Sequence, residues 1–503
     1  MFAVAALALA ACTSDDVALQ QAPAQAEGTP VNFDVYVPRS VTRAGAAGGY
    51  DIAEGYGITT ATLSDLTHEH GKAGFGVFGF YTSNGDYDGN NSTPNFMYNQ
   101  QVKHSATSTL SDWTYEPVKY WPNEYGDAAK SDDVDKLTFF AYAPWVDVTV
   151  STGVPVVDET ATDEEKAQIQ KLNITQLTKN TETGDPIVKY VVDTKPATSV
   201  DLLWGVAADD AKVVDMQGVE QAIPGQPFIN ITKQGDVTGK VKWNFKHALA
   251  MLNVQIVMAV DVPTGGESSP GTYNPTTSYE IGQEGEGTID KFTKVFLRSI
   301  TFDSGFAMQG ALNLHSDEGT TSVADAVPNW KDYDGSKELQ FEPVTFYDGL
   351  KDGKEGTTNN IQKNEKPQGL NPVLLETATE TTWEAKAAGI PTNAYVNLFD
   401  GAAGDPKAPI YVIPSGDVLN VSVLYDVLTQ DEKLAGLLSD SKTHGSLIQN
   451  KIYEENVFGT AIEAGKRYTL KIIVGLESVK FEAEVTPWEE GNDDQQIDLP
   501  ENK

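Results

Sequence analysis

A chain of 503 residues with 36 basic and 72 acidic side chains carries a formal charge of -36. That balance disfavours binding to nucleic acids and anionic lipids, which needs clustered Lys and Arg, and the length calls for two or three domains rather than one core. A single cysteine excludes an intramolecular disulfide.

The cysteine ends the opening stretch, MFAVAALALAACTSDD. Phe2 to Ala11 is too short to cross a bilayer, which takes roughly 20 apolar residues. It has the length of a signal-peptide h-region, although no Lys or Arg precedes it. Leu9-Ala10-Ala11-Cys12 reads as a lipobox. Its small residues let the chain enter the peptidase, and the Cys12 thiol is the nucleophile that accepts a diacylglycerol. Residues 1–11 are therefore read as signal peptide. Residues 12–30, polar and rich in Ala and Gln, read as a lipidated flexible tether to the membrane.

Strand patterns dominate the remainder of the chain. VNFDVYV (31–37) alternates strictly, with Val31, Phe33, Val35 and Val37 on one face. GFGVFGFYT (74–82) repeats the pattern with Phe75, Val77 and Tyr81. KLTFFAYAPW (136–145), IVKYVVDT (187–194), KVFLRSITF (294–302), VLNVSVLYDV (418–427) and YTLKIIVGL (468–476) continue it, separated by Gly, Asn, Asp and Pro clusters. Two short helices are predicted from capping boxes, Thr162 with Glu165 and Thr429 with Glu432. Two Gly-rich polar stretches, 263–290 and 349–370, read as loops. The fold class is mainly β, a sandwich pattern with short helical insertions. Turn signals at 224–239 divide the chain into domains of 31–237 and 238–503.

Few motifs carry chemistry. NGDYDGNNSTPN (84–95) places Asn84, Asp86, Asp88 and Gly89 as in a calcium loop, but Asn95 stands where a bidentate Glu belongs, and an Asx turn explains the same residues. His68-Glu69-His70 reads as a solvated loop, with no third ligand nearby. Tyr120 and Trp121 in YEPVKYWPNE (115–124) could stack on a sugar ring or cover a core. No nucleophile elbow, P-loop, zinc-protease helix or dinucleotide fingerprint occurs. No catalytic residue, metal ligand or cofactor is assigned, and the chain is read as a non-enzyme. Of the four arginines, Arg39 and Arg43 fall in VPRSVTRAGAAGG (37–49), whose small residues make an accessible cleavage segment.

Taken in order, several stretches resemble the fimbrillin family of Bacteroidota. They are the lipobox, PVKYWPNE followed by LTFFAYAPW, VDLLWGVA (200–207), WNFKHALAMLNVQI (243–256), VFLRSITFDSGFAMQGALNL (295–314), IYVIPSGDVLNVSVLYDV (410–427), and AGKRYTLKIIVGL with a late VTPW. The resemblance implies two transthyretin-like β-sandwich domains and export as a lipoprotein to the outer membrane surface. It also implies cleavage by an Arg-directed protease, after Arg43 or Arg39, that removes the first strand. A strand from a neighbouring subunit then fills the groove. The implied partners are other fimbrial subunits, the outer membrane through lipid on Cys12, and a host or bacterial glycan or protein. The last residues, EEGNDDQQIDLPENK, hold no alternating run, so they make a poor donor strand. SVKFEAEVTPW (478–488) is expected to pair within its own sandwich with YTLKIIVGL. The expected role is a stalk or tip subunit of a fimbria. The alternative is a monomeric surface lipoprotein that binds glycans.

Overall fold

The computed structural model describes residues 29–36, 74–83, 85–104, 113–122, 135–156, 173–192, 200–214, 220–231, 240–261, 293–302, 307–331, 344–345, 372–375, 390, 396–397, 410–414, 416–430, 445–474 and 479–487. Cys12, Arg39, Arg43, the His68–His70 triplet, the 162–172 segment and both long polar loops lie outside them.

All the described elements are strands. The first six are β1 (Asn32–Tyr36), β2 (Phe75–Thr82), β3 (Met97–His104), β4 (Trp113–Thr114), β5 (Lys136–Ala143) and β6 (Ile174–Leu177). Next come β7 (Ile187–Val191), β8 (Leu203–Ala207), β9 (Lys212–Val214), β10 (Glu220–Ala222), β11 (Phe228–Ile231) and β12 (Lys240–His247). Past the middle lie β13 (Ala250–Asp261), β14 (Thr293–Phe302), β15 (Gln309–Asn313), β16 (Asn329–Lys331), β17 (Val344–Thr345) and β18 (Pro372–Leu375). The last six are β19 (Val396–Asn397), β20 (Ile410–Val412), β21 (Val421–Gln430), β22 (Gly445–Glu454), β23 (Lys466–Val474) and β24 (Val479–Pro487). The mainly β class stands, and each of the seven alternating stretches contains or overlaps a strand. The helix start expected at Thr429 is a correction: Thr429 and Gln430 continue β21, opposite Ser446 and Gly445 of β22, and residues 431–438 lie outside the described residues. A register of ten cross-strand pairs outweighs a local capping signal.

The first sheet runs β11-β5-β2-β3-β4-β1-β12-β8, and a further β5–β8 pairing closes it into a ring. Its interior is a cluster of Phe33, Phe75, Trp113, Tyr115, Trp121, Phe139, Phe228, Trp243 and Phe245 with smaller apolar residues. Alternation then sends Phe78, Phe80, Phe140, Tyr142 and Trp204 to the outer face, where they enter a second cluster. This is why β2, β5 and β8 read as near-continuous apolar runs: both of their faces are covered. Gly205 on β8 makes room for Trp243, since a Cβ there would sit 2.8 Å from the indole.

The second half forms two sheets, one centred on β13 and β23 and one on β14 and β21. Ile256, Leu470 and Ile472 of the first share the second cluster with Leu297, Ile300 and Val423 of the other. β24 pairs antiparallel along the whole of β23, as expected for 478–488. A fourth sheet, β16-β15-β7-β6, draws strands from both halves. The expected division at 237/238 falls between β11 and β12, two strands of the same sheet.

Candidate functional site

β1 is separated from every strand it pairs with by a long stretch of chain. It lies parallel to β12, from Asn32 opposite Lys240 to Tyr36 opposite Asn244, and antiparallel to β4 at Phe33 and Trp113. Parallel pairing is available here because the connection between the two strands is long. Strict alternation puts Val31 and Phe33 inside the ring, fully buried, and leaves Val35 half-buried. The Phe33 ring meets Phe139 edge-on at 5.9 Å, Phe75 edge-on at 6.2 Å and Tyr115 at 5.5 Å. These separations are those of favourable aromatic pairs.

The head of β1 is held by the segment 115–121. The Val31 amide donates to the Lys119 carbonyl at 2.9 Å, and the Trp121 amide donates to the Thr29 carbonyl at 2.9 Å. Pro30 and Tyr120 form a bridge between these bonds. The Tyr115 hydroxyl donates to the Val31 carbonyl at 2.7 Å and accepts from the Lys119 amide at 3.2 Å. Burial pushes this hydroxyl well above the usual phenol range, so it stays a neutral donor. The aromatic cluster singled out in the sequence is therefore a seat for β1. Trp121 is 4% exposed and packs edge-on against Phe139 at 6.2 Å, so it covers the core and is not a sugar platform. Tyr120 remains half-buried.

The calcium-like loop folds as a turn. The Asp88 carboxylate accepts from the Asn90 amide and the Asn91 side chain, at 2.8 and 2.7 Å. Asp86 pairs instead with Lys136. Asn95 closes a two-way bond with the Tyr81 backbone. Asn84 lies outside the described residues. Behind the turn sits a cluster that sequence reasoning missed, because its members are far apart in the chain. Asp185 accepts from Tyr87 at 2.9 Å and Asn313 at 3.0 Å and lies 2.9 Å from His315 Nδ1. His315 Nε2 faces Glu318 at 3.1 Å. A ring with a carboxylate on each nitrogen satisfies both only as imidazolium.

Burial pulls the His315 imidazole down, but the hydrogen bond and charge of Asp185, then Glu318, outweigh it and hold His315 above its ordinary value of 6.5. Burial pushes Asp185 up, but the hydrogen bonds from His315 and Asn313 prevail and hold it below its ordinary 3.8. A raised His stabilises fully below its unfolded pKa and less as pH rises through the folded value. A lowered Asp stabilises above its unfolded pKa and less as pH falls through the folded value. The joint contribution is therefore greatest from about pH 4 to about pH 6.5. Thermal unfolding is expected to show stability falling as pH is raised from about 6 to 9, and this slope is expected to flatten in His315→Gln. An unchanged slope in that variant contradicts the assignment.

No family model matches the chain. Fimbrium subunit Fim1C of Phocaeicola vulgatus is 39% identical over 89 residues, which is 17% of this chain and 18% of that protein. The chain thus matches under a fifth of the length of this curated relative. Among solved structures, a fimbrial protein from Bacteroides vulgatus aligns over 91% of this chain and 99% of its own at 17% identity and a TM-score of 0.47. The tip fimbrial protein Mfa3 of Porphyromonas gingivalis aligns over 85% and 96% at 10% identity and a TM-score of 0.21. By the order of its motifs and by the 89-residue match to a fimbrium subunit, the chain resembles the fimbrillin family of Bacteroidota.

Proposed function

We propose that this chain is a structural or tip (adhesive) subunit of a cell-surface fimbria. It is exported as a lipoprotein to the outer membrane through Cys12 and assembled when cleavage after Arg43 or Arg39 lets β1 be exchanged for a neighbour's strand. The observation that carries this reading is the position of β1: a short strand, distant in sequence, that completes a closed ring and fills it with Val31 and Phe33. Removing it leaves backbone groups of β12 and β4 unpaired and uncovers aromatic core, and an extended strand of alternating apolar residues repairs both. The C-terminal segment 479–487 is fully occupied against β23, which favours a subunit that receives a strand over one that gives that segment away. The pairing of β12 with β1 and β8 supports a division between the two units after His247 in place of 237/238.

The test is uptake of a fluorescent peptide of residues 29–43 by protein cut with an Arg-specific protease. The reading expects stable binding after cleavage and none before it. Cut protein from which the first strand has gone, but which takes up no peptide, would sink the proposal.

A further inference from the structure

We propose that segment 115–121 is a clamp on the head of β1, with Tyr115 as its positioning residue, and that β1 is displaced from its Tyr36 end, the head leaving last. This rests on the reading that β1 is exchanged. It adds the direction of displacement, the residue that sets its rate, and the order in which the incoming strand pairs.

The ladder to β12 runs along β1 from Asn32 to Tyr36, and the hold beyond that ladder is concentrated at one end. Three hydrogen bonds join residues 29–31 to 115–121, two of them making the Pro30–Tyr120 bridge. The two buried anchors, Val31 and Phe33, lie in the same half, while Val35 is half-buried. Tyr115 touches both anchors with one side chain: its ring lies 5.5 Å from that of Phe33, and its hydroxyl holds the Val31 carbonyl. The same oxygen accepts from the Lys119 amide, so the clamp's own turn closes on the atom that grips the strand. Arg39 and Arg43 both come after the strand in sequence, so cleavage frees its tail and leaves the clamped head in place. The incoming strand, extended and apolar at alternate positions, first meets β12 beside Asn244, the partner of Tyr36, and zips towards Lys240. Its last step breaks the Tyr115 bond.

The lone thiol supplies the readout. Full-length chain labelled at Cys12 carries its dye on the departing fragment. After Arg-specific cleavage, loss of dye is followed in excess unlabelled 29–43 peptide. Tyr115→Phe, which keeps the ring and loses the hydroxyl, is expected to release dye about tenfold faster, as loss of one buried hydrogen bond implies. Val35→Ala is expected to change the rate less. In the uncleaved chain, amide exchange at residues 29–33 is expected to rise in Tyr115→Phe, while that of β13 and β23 stays unchanged. Equal release from wild type and Tyr115→Phe, or unchanged exchange at 29–33, overturns the clamp while leaving strand exchange standing. Dye retained by every cleaved variant overturns the exchange reading and the clamp with it.

Discussion

Phe33→Ala is expected to destabilise the ring by about 3–5 kcal/mol, the range for truncating a fully buried aromatic side chain. Phe33 is 2% exposed and touches three other aromatic rings. The cavity left behind is lined by Phe75, Tyr115 and Phe139. Each of these is fixed by its own strand or by the clamp, so collapse is limited. Val35→Ala, at a half-buried position of the same strand, is expected to cost less than about 1.5 kcal/mol. Urea unfolding followed by tryptophan fluorescence reads this directly, because Trp113, Trp121 and Trp243 lie in the same core. A Phe33→Ala midpoint no lower than that of Val35→Ala would mean that β1 does not complete the core. The comparison also bears on function, since a strand that contributes this much when present leaves a strongly unfavourable vacancy when removed.

Lys246→Met is expected to cost at least about 2 kcal/mol, from buried carbonyls left without a donor. Lys246 stands on the outer face of β12, is 6% exposed, and donates to the carbonyls of Val323 at 2.7 Å, Ala324 at 3.0 Å and Ala326 at 2.9 Å. Methionine matches its length and supplies no donor. The ammonium therefore ties the ring to a turn between β15 and β16, which belong to a different sheet. The Trp330 indole donating to the Ala248 carbonyl at 2.8 Å reinforces the same junction. Lys242→Met is the control, for Lys242 meets Asp210 at the surface, where an ion pair contributes little. Equal unfolding midpoints for the two variants would show that the junction does not depend on Lys246. A larger loss for Lys246→Met, with faster amide exchange at residues 320–326, is the expected result.

Much of the fold is legible because a half-buried strand imprints a period of two on the sequence. VNFDVYV displays this cleanly, and Val31 and Phe33 sit where the pattern puts them. GFGVFGFYT reads as a one-faced strand, but Phe78 and Phe80 are buried too, because the ring's outer face is covered. Periodicity records which residues alternate and not whether the second face meets solvent. β3, MYNQQVKH, escapes a sequence reading for the opposite reason: its polar residues give no alternation, and pairing with β2 and β4 decides its state. Thr429 shows a local signal losing to tertiary pairing.

The site is half legible. The aromatic content of 115–121 stands out in the sequence, but nothing local tells whether Trp121 points inward, and the bond from Tyr115 to Val31 spans 84 positions. The Asp185–His315 pair spans 130. Contacts of that kind come from topology, which a one-dimensional pattern does not encode.

Intact mass of the protein taken from the native cell surface tests the central claim most directly. The account predicts a chain beginning at Ala44, or at Ser40 if Arg39 is the site used, with the acyl groups and first strand gone. A chain beginning at an acylated Cys12, with residues 31–43 still attached, would contradict it.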